Sequence, residues 1–178
     1  MIQQKICLNF GQEKAHNARM KVFSKIVINK SVNEIINLIK SPNNLEKFHP
    51  FCKTNTIDVW NEYNKIDYVN YYSGKSYKRK FTNINANGYT LDVYEDRKLA
   101  TITWIVTSIN NKSFIEITAD LNMPYSLRII NLIIFHVYVK HVMKSYLNAV
   151  TKGLKMYMET KEIIHEDQFG KHIWYSAY

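Results

Sequence analysis

A chain of 178 residues, 46% of them hydrophobic, is about one domain long and can bury a sizeable core without covalent staples. Two cysteines, Cys7 and Cys52, exclude a disulfide framework and a Cys-rich zinc site and point to a reducing, cytoplasmic setting. The net charge of +9 comes from 24 dispersed basic residues, with KSYKRK at 75–80 the densest group; this excludes a phosphate-tracking stripe and a nucleic-acid partner, and leaves transient attraction to an anionic membrane surface.

Residues 1–20 lack sustained periodicity and read as an N-terminal arm, with no apolar run of the signal-peptide type. VFSKIVI at 22–28 is rich in β-branched residues and is the first predicted strand. Ser31 with Glu34 has capping-box spacing ahead of Val32, Ile35, Ile36 and Ile39, which predicts a short amphipathic helix ended by Pro42. Residues 43–48 form a second short helix that exits through LEKFHPF.

From residue 53 to 120 the period changes to alternation, in the runs TNTIDVWN, KIDYVNYY, YKRKFTNI, YTLDVYE, LATITWIVT and SFIEITADL. Turn signals at 62–65, 73–74, 85–88, 95–98 and 110–111 separate them, and spacing this short allows only antiparallel meander connections. Parity turns Tyr77, Arg79 and Phe81 inward, with Ile102, Trp104 and Val106, Ile57 and Val59, Tyr89 and Leu91, and Ile115 and Ile117. In the tyrosine-rich run it is Tyr68 and Tyr72 that are assigned inward, against Val69 and Tyr71.

A helix follows over residues 125–160. Lys140, Lys144, Asn148, Lys152, Lys155 and Glu159 mark its solvent side, and Val142, Met143, Tyr146, Leu147, Val150, Leu154 and Tyr157 its buried side. Gly153 is expected where the helix closely approaches the sheet. The run IINLIIFHVYV from Ile129 is too short to cross a bilayer, which takes about 20 residues, and is apolar nearly all round. It therefore needs a cover, which Phe169, Ile173, Trp174 and Tyr175 of the tail at 161–178 can supply. A dimer interface through Ile130, Ile133, Ile134 and Val137, or a lid, is the rival. The pattern as a whole is α+β: a curved antiparallel sheet of about seven strands wrapped around one long C-terminal helix, with two short helices after the first strand.

At this point the sequence resembles the START-like, or SRPBCC, superfamily. The resemblance is carried by KIVINKSVNEIINLIKSPNNLEKFHPF at 25–51, by the final helix, and by QFGKHIWYS at 168–176, which is similar to a terminal segment of uncharacterised bacterial members. It covers the chain from about Val22 to its end and implies the helix-grip fold over residues 21–160. It also implies an apolar pocket for lipids, isoprenoids, polyketides or other aromatic ligands. Members include transfer proteins and polyketide cyclases. No Rieske-type Cys-His set is present, so the oxygenase branch is set aside and no cofactor is expected.

The expected ligand-binding residues are His49, Phe51, Tyr68, Tyr72, Tyr77, Arg79, Phe81, Tyr89, Leu91, Trp104, Val139, Met143 and Tyr146, an aromatic wall dotted with phenols. Arg79 either forks onto a ligand carboxylate or phosphate, or snorkels or pairs with a carboxylate such as Asp92. His49, between Phe48 and Pro50, is a gate, a ligand hydrogen bonder or an acid-base group. His136 and His141 are five residues apart rather than four, so no helical metal pair is expected. Three functions stay open: binding or transport of a small hydrophobic ligand, a cyclase or dehydratase reaction on a polyketide-like substrate, and an adaptor role between proteins. The chain is expected to be a monomer or a homodimer.

Overall fold

The structure, a computed structural model, describes residues 20–178; the arm expected over 1–20 lies outside them apart from Met20. Seven strands form one antiparallel sheet: β1 (Lys21–Ile28), β2 (Cys52–Trp60), β3 (Lys65–Tyr71), β4 (Ser76–Asn85), β5 (Gly88–Tyr94), β6 (Lys98–Ile109) and β7 (Lys112–Leu121). Strands β2 to β7 pair in chain order and β1 adds to β7, which leaves β1 and β2 as the two edges. Two short helices, α1 (Val32–Ile39) and α2 (Leu45–Phe48), carry the chain from one edge to the other. The capping box is made as expected: Ser31 Oγ accepts from the Glu34 amide, and a Glu34 carboxylate oxygen accepts from the Ser31 amide at 3.0 Å. The sheet curls around a long terminal helix, so the α+β architecture is the one the periodicity indicates.

That helix has three parts: α3 (Arg128–Ile134), a π-helical segment (Phe135–Val139), and α4 (Lys140–Thr160). It begins three residues later than the apolar pattern suggested, and the Asn131 side chain bonds both the amide and the carbonyl of Tyr125, holding that residue outside the helix. No helix among the described residues is long and apolar enough to cross a membrane.

The polar stripe of α4 differs from its expected role. Lys144 and Lys155 donate to the carbonyls of Phe23 and Val27, and Glu159 accepts from the Asn29 amide. Asn148 accepts from Ser24 Oγ at 2.7 Å. The stripe therefore covers the open edge of β1, whose backbone groups would otherwise template another strand. Periodicity reports polarity, and a sheet edge is as polar as solvent.

Gly153 also packs elsewhere than expected. A Cβ there would stand 2.1 Å from the carbonyl oxygen of Phe48, so the close approach is to α2 and not to the sheet. The tail does not cover the apolar start of the helix: Trp174 reaches Tyr138, ring centroids 5.9 Å apart, but Ile129, Ile133 and Val137 stay exposed. Instead, Ile164, His172, Tyr175 and Ser176 are buried beside β3, α2 and α4.

Candidate functional site

A cavity of about 120 Å³ lies between the concave face of the sheet and α4. Its sheet side is built by Val69 and Tyr71 of β3, Tyr77 and Arg79 of β4, Leu91 of β5, Trp104 of β6 and Ile117 of β7. Met143, Tyr146, Leu147 and Val150 form the helix side, while Leu45, His49 and Tyr175 close one end.

Seven of the expected residues line this space: His49, Tyr77, Arg79, Leu91, Trp104, Met143 and Tyr146. Phe51 and Tyr89 are buried one layer behind it, Phe51 stacked on Tyr146 at 5.8 Å and Tyr89 on Trp104 at 5.7 Å. Phe81 is half-buried between Trp60 and Tyr89, away from the cavity. Val139 lies half-buried in the π-helical segment, one turn before the lining begins at Met143.

Tyr68 and Tyr72 are corrections of register. Apart from Ile66, the buried residues of β3 are Asp67, Val69 and Tyr71 on one face, so Tyr68 faces out under the Lys78 ammonium and Tyr72 lies past the strand's end. Ile57 pairs with Asp67 and so shares the inward face with Asn55 and Val69, but on the edge strand β2 it stays 37% exposed; the bulge between Ile57 and Val59 sets Val59 opposite Ile66, on the other face. Tyr71 and Tyr175 are thus wall residues that the sequence reasoning missed. Tyr71 was the rejected alternative in its own strand, whereas Tyr175 reaches the wall through tertiary packing of the tail.

Arg79 pairs with Asp67 and not with Asp92. The two stand opposite each other in the β3–β4 register, and Arg79 Nε and Nη2 fork onto the two carboxylate oxygens, the first at 2.7 Å. Asn55 Nδ2 adds a third bond to that carboxylate at 3.0 Å. Burial opposes the guanidinium charge, but the adjacent Asp67 carboxylate outweighs it, so Arg79 holds its proton more firmly than usual. Asp92 instead binds Lys98 and Thr101 at the β5–β6 turn. Arg79 lines the cavity, and its Nη1 has no hydrogen-bond partner among the described residues.

His49 follows α2 and is 4% exposed. Its Nδ1 accepts from the Phe51 amide at 3.2 Å, which fixes the proton on Nε2, and Nε2 donates to Tyr146 Oη at 2.8 Å. Burial, reinforced by the nearby Arg79 charge, pulls its pKa down to about 3. Tyr146 Oη also bonds Tyr71 Oη at 2.9 Å. Two phenols hold two protons and their mutual bond uses one. The imidazole can only donate, so one phenolic O–H has no protein acceptor. Burial raises both phenol pKa values, which keeps that proton in place.

His172 repeats the arrangement in the tail. Its Nδ1 accepts from the Trp174 amide at 3.3 Å and its Nε2 donates to the Val142 carbonyl at 3.1 Å, while its ring stacks on Tyr175 at 5.0 Å. No group of three or more His, Cys, Asp or Glu side chains that could hold a metal occurs among the described residues. Chemically, the cavity is a largely apolar enclosure dotted with the phenols of Tyr71, Tyr77, Tyr146 and Tyr175 and the Arg79 guanidinium, and one O–H of the Tyr71–Tyr146 pair has no protein acceptor.

No family model matches the sequence, and no curated protein is detectably similar to it. Solved structures do match. A START superfamily protein from Mycobacterium smegmatis superposes with a TM-score of 0.64 at 12% identity, over 79% of this chain and 98% of its own. The di-domain ARO/CYC StfQ of the steffimycin biosynthetic pathway gives 0.64 at 11% identity over 80% of this chain, which spans about half of that protein. The Aha1 dimer from Colwellia psychrerythraea gives 0.57 at 14% identity, over 79% and 96% of the two chains. At these identities the likeness is one of fold: the chain has the helix-grip architecture of the START-like, SRPBCC type.

Proposed function

We infer that the protein binds a small, mostly apolar, uncharged molecule carrying hydrogen-bond acceptors, such as a ketone, ester or quinone. The observation that carries this reading is the unmatched phenolic proton of Tyr71 and Tyr146 beside a largely apolar space. A buried donor without an acceptor costs about 1–3 kcal/mol, and a ligand carbonyl removes that cost. Charge argues against an acid. Arg79 is neutralised by Asp67, and His49 is neutral above a pKa of about 3. A ligand carboxylate would lose its hydration without meeting a net positive charge.

Size bounds the class further. An engineered apolar cavity of about 150 Å³ holds benzene, and drug-sized ligands occupy about 300–1,000 Å³. At about 120 Å³ the space matches a single ring. A lipid, isoprenoid or polyketide chain would require Tyr175 and its segment to swing away. Among proteins of similar fold, one is an aromatase/cyclase of a polyketide pathway and another is named for the START superfamily, and binding of apolar molecules is compatible with both.

A cyclase-type reaction is the second reading, favoured by the His49, Tyr146 and Tyr71 chain, whose terminal O–H can polarise a substrate carbonyl. His49 itself, with a pKa of about 3, is a weak base at neutral pH. The space left in the core weighs against the adaptor role, for which side chains would fill it.

The test is a thermal-shift and calorimetric panel of matched small molecules: a cyclic ketone, its parent hydrocarbon and its carboxylic acid. The ketone should raise the unfolding midpoint most and lose about tenfold in affinity with the double variant Tyr71→Phe, Tyr146→Phe, which removes both phenol donors. Equal binding of hydrocarbon and ketone, or preference for the acid, would remove this reading. Turnover of a ketone substrate that depends on Tyr71 would establish the second.

A further inference from the structure

The apolar start of the terminal helix remains without a cover. Ile129, Ile133 and Val137 are 70%, 59% and 74% exposed, and their four-residue spacing stacks them along one ridge of the helix. Leu127, Ile130 and Tyr138 widen it, while Asn131 and Phe135 on the opposite side are buried. A ridge this apolar on a folded chain marks a contact surface.

Charge selects the partner. Between Asp120 and Glu159 the sequence contains no acidic residue, yet it carries Arg128, Lys140, Lys144, Lys152 and Lys155, with His136 and His141. Lys140, His136 and His141 are exposed within a turn or two of the ridge. Two other occupants fit badly. A two-fold contact with a second copy would set this cationic helix against itself. The first nineteen residues carry three basic and one acidic side chain, 3 − 1 = +2, so they too would bring like charge. An anionic bilayer surface offers both an apolar layer for the isoleucines and negative charge for the flanking cations, the arrangement in which an amphipathic helix lies in a membrane interface.

We propose that α3 and the π-helical segment form a docking surface for anionic lipid membranes, with Ile129, Ile133 and Val137 inserted at the headgroup boundary. The ridge leads along the same helix to Met143, the first of its residues to line the cavity, so docking brings that wall close to the membrane. The docking surface stands on the exposed helix and its charge, independently of what the cavity binds.

The experiment is flotation of the full chain with vesicles of phosphatidylcholine alone and of phosphatidylcholine with 30% phosphatidylglycerol. Binding is expected only to the anionic vesicles and should fall steeply with salt, since each Lys or Arg near such a surface contributes about fivefold. Ile133→Asp with Val137→Asp should reduce the bound fraction at least tenfold, with the unfolding midpoint unchanged because both sites are exposed. Ile129→Gln with Ile133→Gln is the milder pair if the aspartates disturb folding, and should give a smaller loss in the same direction. Absence of flotation with either vesicle, or equal flotation with both, overturns the proposal. So does a dimer in sedimentation velocity that the Ile133→Asp, Val137→Asp variant dissociates, because the ridge would then serve a second copy.

Discussion

Asp67 and Arg79 face each other across β3 and β4, joined by a two-pronged fork whose carboxylate is also held by Asn55. A buried ion pair of this kind contributes little net stability, because each ion loses its hydration, but removing one member strands the other. Asp67→Ala should therefore destabilise the fold by about 3–5 kcal/mol, and Arg79→Met by a similar amount. The double variant Asp67→Leu, Arg79→Met should recover most of that loss. Urea unfolding of the three variants measures this. If the double variant is as unstable as the two losses summed, the pair is not coupled as described.

Tyr146 and Tyr71 share a bond but differ in their duties. Tyr146→Phe leaves the inward Nε2–H of His49 without an acceptor, and a buried unsatisfied donor costs about 1–3 kcal/mol. Tyr71→Phe takes away one phenol and leaves the unmatched proton on Tyr146, so the number of unsatisfied donors is unchanged; the expected cost is below about 1 kcal/mol. The order Tyr146→Phe worse than Tyr71→Phe is the expected outcome of thermal unfolding, and the reverse order would mean that the imidazole donates elsewhere.

Acid should weaken the fold through its two buried imidazoles. The ordinary histidine pKa is about 6.5, whereas burial holds that of His49 at about 3 and lowers that of His172. A depressed folded-state pKa means that the unfolded chain binds the proton first. The stability from neutral His49 is complete above about pH 6.5, declines as the pH falls, and is exhausted near 3. At about 1.4 kcal/mol per unit, the loss over that window is about 4–5 kcal/mol for His49. His49→Gln keeps a donor for Tyr146 and has no proton to gain. Its stability between pH 6.5 and 4 should fall less steeply than that of the parent, by about one proton in the slope, and parallel slopes would show that His49 titrates normally.

The element order, the sheet class and the α1 capping box were legible in the sequence because each rests on local chemistry: alternation, turn residues, and a Ser and a Glu three positions apart. Parity succeeded in β4 to β7, where each of the assigned pairs follows one strand face. It failed for Val59 in β2, where a bulge after Ile57 shifts the count, and in β3, where both faces carry aromatics and side-chain type cannot choose between them. A charged residue held the missing clue. Only one parity of β3 sets Asp67 beside Arg79, and no apolar scale records that. Gly153 and the polar stripe of α4 were recognised as special and given the wrong neighbours, because a sequence period states which face of a helix is unusual without stating what stands against it.

Tyr175 tests whether the tail is part of the cavity or only adjacent to it. Its ring stacks on Tyr71 at 4.4 Å, its carbonyl accepts from the Ser73 amide at 3.1 Å, and it lines the cavity beside Tyr146. Ending the chain after Glu166 removes this ring together with His172, Trp174 and Ser176. The Val142 carbonyl loses its imidazole partner, and the expected destabilisation exceeds about 3 kcal/mol. Tyr175→Ala is the sharper probe, since the rest of the tail keeps its anchors: Ile164 to the Lys47 carbonyl, Asp167 to the Pro50 carbonyl, and Ser176 to the Asp167 carboxylate. The variant should lose about 3 kcal/mol, because an excavated aromatic leaves space that its neighbours fill only in part. That space adjoins the existing cavity, so the preferred ligand should shift from a single ring to two fused rings, read as a change of rank in a thermal-shift series of increasing size. An unchanged rank with the same loss of stability would mean that Tyr175 supports the wall from behind without forming it.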